Sequence, residues 1–143
     1  MQVEQLAIFL ENKSGRLAEI TAILAENGID IRALSVADTA DFGILRLIVD
    51  QVEKAQEALK QKGFTVGKTQ VVAVAVPDRV GGLASVLREV SAGGFNVEYM
   101  YAYANRGDGK AVMIFRFDIM DEAIARLQEK GFTLVSKSEI DKA

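Results

Sequence analysis

Lys62-Gly63-Phe64-Thr65 recurs, letter for letter, as Lys130-Gly131-Phe132-Thr133. Outward from this tetrapeptide the whole chain repeats. At the same offset of 68, Asp50 meets Asp118, Ala55 meets Ala123 and Leu59 meets Leu127. Upstream of a two-residue insertion near Arg106-Gly107 the offset is 66. There Gly15 falls on Gly81, Leu17 on Leu83, Ala18 on Ala84 and Gly28 on Gly94. Ile20 likewise meets Val86, Leu24 meets Val90, Asp30 meets Asn96 and Ile31 meets Val97. Glycines and core apolar residues in the same order twice describe one duplicated unit.

Each copy reads alike. An apolar run, Gln5–Leu10 or Val71–Val76, predicts a buried strand. A polar, glycine-containing loop leads into a helical pattern, with Leu17, Ile20 and Leu24 in one copy and Leu83, Val86, Leu87 and Val90 in the other. These helices stop at Gly28 and at Gly93-Gly94, as helix C-termini do. Second strands follow at Asp30–Val36 and Asn96–Ala104. Turns at Thr39–Gly43 and Asn105-Arg106-Gly107-Asp108-Gly109 lead to third strands, Ile44–Val49 and Ala111–Phe117. Asp50-x-x-Glu53 and Asp118-x-x-Asp121 have the form of helix-start caps. The second helices end at Gly63 and Gly131, and a last strand opens with Phe-Thr in both copies. The predicted fold is therefore α+β: two tandem ferredoxin-like βαββαβ units, antiparallel sheets with helices on one face. We place the units at 1–69 and 70–143, rigidly joined, because no Pro- or Ser-rich linker separates them. Strands as apolar as Val71–Val76 need cover on both faces, which edge-to-edge joining of the copies or sheet stacking in a dimer would supply.

Composition narrows the function. Of 143 residues, 50% are hydrophobic and 26% charged, the balance of a soluble globular protein. Seventeen Lys+Arg against twenty Asp+Glu give a net charge of −3, without the basic stripe that nucleic acid or an anionic membrane surface requires. There is no Cys and no His. That removes thiolate nucleophiles, disulfides, Cys- or His-ligated metals and the usual general base. An enzyme would need a carboxylate or lysine with a shifted pKa in a pocket, and no convergent pair is visible. The first residues carry no basic n-region with an apolar run behind it, and no apolar stretch is long enough to span a membrane. The expectation is a cytoplasmic, non-catalytic protein with no cofactor and no bound metal.

The most informative segments are the loops after the first strand of each copy, Glu11-Asn12-Lys13-Ser14-Gly15-Arg16-Leu17 and Pro77-Asp78-Arg79-Val80-Gly81-Gly82-Leu83. Each sets a short polar side chain, a cation and a glycine just before a helix. A helix N-terminus offers unsatisfied N–H groups and about half a positive charge, so such a loop suits an anion or carboxylate. Equally, Gly15 and Gly81 would serve to turn the chain into the helix.

At these residues the chain resembles the ACT domain family. The resemblance rests on Gly15-Arg16-Leu17 and Gly81-Gly82-Leu83 opening the first helix of each copy. Gly-Ile-Asp-Ile (28–31) and Gly-Phe-Asn-Val (94–97) follow thirteen residues after that glycine. It covers essentially the whole chain, as two tandem units with nothing attached. It implies a regulatory protein that binds a free amino acid or similar small carboxylate between paired units, the loop of one facing the second-strand start of its neighbour. Carried over, one set of ligand-binding residues is Asn12, Lys13, Ser14, Gly15, Arg16, Leu17, Asp30 and Ile31. The other is Asp78, Arg79, Val80, Gly81, Gly82, Leu83, Asn96 and Val97. Loop N–H groups would hold the α-carboxylate. Asn12, Asp78 or strand carbonyls would take the α-ammonium, and Leu17, Ile31, Leu83 and Val97 would wall the side chain. Homodimerisation and control of an amino-acid biosynthetic enzyme are further implications. A ligand-free assembly subunit acting through its sheet edges is the alternative. Two departures stand out: family loops often carry proline directly before the glycine, where this chain has Ser14 and Val80, and the two loops differ at Asn12/Asp78 and Arg16/Gly82.

Other motifs read as structure. Gly63-Phe64-Thr65-Val66-Gly67-Lys68-Thr69 falls one residue short of a P-loop and follows a helix rather than a strand. Asn12-Lys13-Ser14 is a sequon without an export signal. Tyr99, Tyr101 and Tyr103 share one strand face, suited to packing at a domain or dimer interface or, less so, to lining a pocket. Arg46 and Arg116 interrupt apolar strands and should pair with a carboxylate on an adjacent strand or face solvent. Asp38 with Asp41, and Asp118 with Asp121 and Glu122, lie in a turn and at a helix start, where acids serve local structure.

Overall fold

The computed structural model describes residues 2–11, 13–38, 41–103 and 109–142. They form two compact units, Glu4–Thr69 and Gln70–Ala143 with Met1–Val3. The first contains β1 (Val3–Glu11), α1 (Arg16–Glu26), β2 (Ile31–Asp38), β3 (Phe42–Val49), α2 (Val52–Gln61) and the opening of β4 (Thr65–Pro77). Its strand order is β2-β3-β1-β4, with antiparallel registers such as Leu6↔Leu47 and Leu34↔Leu47. Alternation sends Leu6, Ile8 and Leu10 of β1 and Leu45, Leu47 and Val49 of β3 to one face. There they meet Ile20, Ile23 and Leu24 of α1 and Val52, Ala55 and Leu59 of α2. Each such fully buried aliphatic side chain contributes about 1.5–3 kcal/mol, which is what holds a unit of this size.

The second unit continues β4 and adds α3 (Gly82–Ala92), β5 (Val97–Tyr103), β6 (Lys110–Phe117), α4 (Met120–Glu129), β7 (Thr133–Val135) and α5 (Lys137–Lys142). Its strand order is β7-β4-β6-β5, again antiparallel. Val72, Val74 and Val76 pack with Phe115 and Phe117, whose rings stack at 5.2 Å, against Val86, Val90, Ala123, Ile124 and Leu127 of α3 and α4. The expected last strand of the first copy and first strand of the second are one continuous strand, β4.

The repeated tetrapeptide is a helix terminus. Gly63 and Gly131 have φ of 88° and 85°. Phe64 N–H donates to Leu59 O (3.1 Å) and Phe132 N–H to Leu127 O (3.0 Å), the wide bond of a Schellman motif. Both phenylalanines then pack on the core of their own unit. The helices before Gly28 and Gly94 close the same way, Ile29 N–H to Leu24 O and Phe95 N–H to Val90 O. The P-loop-like segment is thus a helix end followed by the opening of β4.

Three expectations need correction. Asp50 and Asp118 do not cap the second helices: the N-cap residues are Gln51 and Ile119, and neither helix has a side-chain cap bond. Instead, Asp50 Oδ1 accepts from Asp30 N–H (2.9 Å) while Asp50 N–H donates to Asp30 O (3.2 Å). Asp118 repeats the pair with Asn96 at 2.9 and 3.1 Å, and also accepts from Ile119 N–H (3.0 Å). Antiparallel pairing brings the end of the third strand beside the start of the second, so each acid clamps a neighbouring strand rather than its own helix. The second correction is α5, which the element reading above omits. Ser136 and Glu139 form a capping box, Ser136 N–H to Glu139 Oε1 and Glu139 N–H to Ser136 Oγ, both 3.3 Å. The third concerns the tyrosines: Tyr101 and Tyr103 are buried, and Tyr103 Oη donates to the carbonyl of the fully buried Ile140 (3.3 Å), a contact inside one unit.

Arg116 pairs with Glu98 on the adjacent strand (3.4 Å) and donates to Gln70 O (2.7 Å). Of the two predicted turns, Thr39, Ala40 and Asn105–Asp108 lie outside the described residues, as does Ala104 at the end of the second strand. Among the described residues no group of three acids or other donors is placed to hold a metal ion.

Candidate functional site

In the first unit β1 ends at Glu11 and α1 begins at Arg16. Lys13 N–H donates to Glu11 O (2.8 Å), folding the chain back. Gly15, the N-cap, sits at φ 88°, ψ −7°, a left-handed conformation that a residue with a Cβ adopts only under strain. No side chain caps the helix; Arg16 N–H donates to Lys13 O (3.4 Å), and the next two N–H groups of the first turn, those of Leu17 and Ala18, have no intrahelical acceptor. Gly15 thus makes the turn into the helix.

Beside the loop lies a hollow of about 160 Å³ lined by Leu10, Glu11, Lys13, Arg16, Leu17, Val36 and Gly43. Gly43 stands in register between Leu10 of β1 and Asp38 of β2 and brings no side chain, so the floor is bare backbone. Leu10, Leu17 and Val36 supply apolar walls. The charges are mixed. Lys13 Nζ lies 2.8 Å from Glu11 Oε2, and the Arg16 guanidinium lies 2.9 Å from Glu19 and 4.0 Å from Glu11. The hydrogen bond from Lys13, then its charge, holds the Glu11 carboxyl below its ordinary range, with a smaller contribution from Arg16. The lining thus carries two cations and one carboxylate, with the second carboxylate, Glu19, held on Arg16 from outside it, so both signs of charge meet at the rim. On the other side of Arg16 a wider groove of about 310 Å³ runs past Phe9, Phe42, Lys62 and Phe64, where Phe9 and Phe42 are more than half exposed.

Of the sequence-predicted residues, the first unit brings Lys13, Arg16 and Leu17 together at the hollow, with Ser14 and Gly15 in the exposed turn beside it. Asn12 lies outside the described residues. Asp30 and Ile31 are not at this hollow. Ile31 pairs with Val49, whereas the hollow lies at the Asp38↔Gly43 end, roughly 23 Å along β2 at about 3.3 Å per residue. Asp30 pairs there with Arg32 (3.0 Å). Within one unit, then, loop and second-strand start occupy opposite sheet ends. Glu11, Leu10, Val36 and Gly43 were missed. The acid at the strand end was legible, but the other three reach the loop only through cross-strand register.

The second loop is built differently. Gly81, at φ 84°, ψ −3°, again opens the helix without a side-chain cap. Asp78 N–H donates to Gly109 O (3.0 Å) and Arg79 N–H to Pro77 O (2.9 Å). A Cβ on Gly82 would stand 2.0 Å from the Pro77 carbonyl oxygen, so α3 starts hard against the strand end. Val80 is fully exposed and Leu83 partly so. Asn96 and Val97 sit at the far end of β5, Asn96 clamped by Asp118 and Val97 opposite Phe117.

Two βαββαβ units, each with a glycine-opened first helix, define a tandem ferredoxin-like fold. A family profile described as "ACT domain pair" matches residues 1–143, and the chain belongs to that family. Among solved structures it is similar to protein BT0572 from Bacteroides thetaiotaomicron, with 46% identity and a TM-score of 0.93 over 100% of this chain and 98% of that one. It shares its fold with the regulatory subunit of aspartate kinase from Thermus thermophilus, at 18% identity and TM-score 0.64, covering 90% and 92%. The corresponding subunit from Thermus flavus gives 14% identity and TM-score 0.59, covering 88% and 90%. No curated protein matches the chain. Among the described residues no helix is long and apolar enough to cross a membrane.

Proposed function

We propose that this protein is a non-catalytic, cytoplasmic sensor of a free amino acid, built of two ACT units at 1–69 and 70–143. In this reading it acts as a homodimer that regulates an amino-acid biosynthetic enzyme. The observation that carries the reading is the charge pattern of the first hollow. Its rim sets Lys13 and Arg16 beside Glu11 above a floor walled by Leu10, Leu17 and Val36. A zwitterion matches this mixed rim with both of its charges. Its carboxylate is taken by Arg16 and the open helix N–H groups, its ammonium by Glu11, and its side chain by the apolar wall. The volume suits a small metabolite rather than a nucleotide. Family membership supports regulation, and the dimer would bring a neighbouring second-strand start, Asp30-Ile31 or Asn96-Val97, to complete each site.

Thermal shift against each of the twenty standard amino acids tests this. At a hundredfold excess over Kd a ligand stabilises by about 2.7 kcal/mol, which for a chain of this size raises Tm by about 5–11 °C. Gly15→Val has room for its side chain, nothing lying within 4 Å of a Cβ there, but the left-handed backbone strains any Cβ by about 1–2 kcal/mol, so the variant should melt lower without ligand and show no shift with it. No shift with any amino acid would end the sensor reading.

One observation favours the alternative of a ligand-free assembly subunit. β2 is an edge strand, and its Leu34 and Val36 are 51% and 47% exposed. Capture of a biosynthetic enzyme that is lost with Leu34→Lys, together with flat ligand titrations, would establish that reading instead.

A further inference from the structure

We infer that the two loops are not equivalent and that only the first holds a zwitterion, so that the chain takes at most one amino acid. The inference rests on the sensor reading above. The duplication makes it a comparison of positions. Where the first loop has the Glu11 carboxylate, the second has Pro77, which also has no N–H to donate. Where the first has the Arg16 guanidinium, 2.9 Å from Glu19, the second has Gly82 and Ser85.

These replacements are not interchangeable with the originals. The Cβ position of Gly82 lies 2.0 Å from Pro77 O and 3.4 Å from a Val76 methyl, so no side chain fits where Arg16 stands in the first unit. The Ser85 hydroxyl donates to Gly82 O (2.6 Å), which occupies the one polar group that could have replaced Glu19. The bare floor is lost as well: Ala111, in register with Val76, takes the place of Gly43 opposite Leu10, and its Cβ projects from the floor. The second loop therefore keeps one cation, Arg79, and one acid, Asp78, on a floor raised by a methyl group. The selecting residues of the first site are Glu11, Arg16 and Gly43, together with Glu19, which orients Arg16.

Titration calorimetry on the full chain tests this with whichever of the twenty standard L-amino acids gives the largest thermal shift. The expected result is at most one guest per chain. Arg16→Gln should weaken binding about tenfold or more, the worth of one charge-assisted hydrogen bond, while Arg79→Gln leaves the affinity within about twofold, as expected for a charge that does not touch the guest. Both arginines are loop or first-turn residues, and circular dichroism on the same samples verifies that both variants fold. Two guests per chain, or loss of binding with Arg79→Gln, would overturn the inference and leave the sensor reading standing. Absence of binding by every amino acid would overturn the sensor reading, and the inference with it.

Discussion

Gly82→Ala should destabilise the protein, although alanine is the better helix former. The added Cβ would lie 2.0 Å from the Pro77 carbonyl oxygen, 1.0 Å inside the 3.0 Å that real Cβ contacts respect. The obstacle is backbone, so it cannot swing aside as a long side chain would. Either the start of α3 or the end of β4 has to move. Overpacking of this kind costs about 1–3 kcal/mol, and a backbone obstacle puts it near 3. Against this stands a helix-propensity gain of up to about 1 kcal/mol. A net loss of about 2 kcal/mol lowers Tm by about 4–8 °C for a chain of this size. The control is Arg16→Ala at the matching position of the first unit, where the side chain makes only partly exposed ion pairs, worth about 0–1 kcal/mol. Scanning calorimetry of the two variants beside the parent decides the matter. If Gly82→Ala melts within about 1 °C of the parent, below the shift of even a 1 kcal/mol loss, α3 is not seated on Pro77, and the argument that the second loop is closed falls with it.

Removing the strand clamp by Asp118→Ala deletes an acceptor for two backbone N–H groups. It should cost about 1–2 kcal/mol by urea denaturation, with Asp118→Asn, which keeps an acceptor oxygen, costing less. The acid limb of stability should depend on Glu11. Lys13 holds its carboxyl below the ordinary 4.5, so the pair stabilises fully above that pH and loses its contribution as pH falls through the lowered value. The Tm gap between parent and Glu11→Gln should therefore be constant at neutral pH and close below 4.5. The alkaline limb has the opposite sign. The hydrogen bond to Glu53 raises Lys68 above 10.5 despite some desolvation, so the gap between parent and Lys68→Met should persist below that value and close above it. Finally, Ser136→Ala should loosen α5 by about 1 kcal/mol. With no Trp and all three tyrosines on β5, intrinsic emission reports this face, and unchanged quenching by acrylamide would refute the contact between Tyr103 and α5.

The features legible in the sequence are those made by neighbours along the chain. The ends of α1 to α4 are each written as a glycine followed by an apolar residue, because the Schellman bond joins residues only five apart, as from Phe64 to Leu59. Element order followed from period-two and period-3.6 patterns, and two patterns matched at fixed offsets made the tandem fold readable. The capping box at Ser136-x-x-Glu139 belonged to the same local class and went unread.

What only the tertiary structure decided depends on register between segments far apart in sequence. Asp50 looked like a helix cap because acids belong at helix starts. The antiparallel pairing of β2 with β3 instead offered it the N–H of Asp30, twenty residues away. Gly43 carries no mark of a pocket floor until Leu10 and Asp38 are laid on either side of it. Gly82 reads as one more flexible loop residue until the Pro77 carbonyl is found where its side chain would be. Local sequence thus settled which elements form and where they stop, since short-range hydrogen bonds and hydrophobic period depend only on nearby residues. The shape and charge of the hollow came from strand register, which no single stretch of the chain contains.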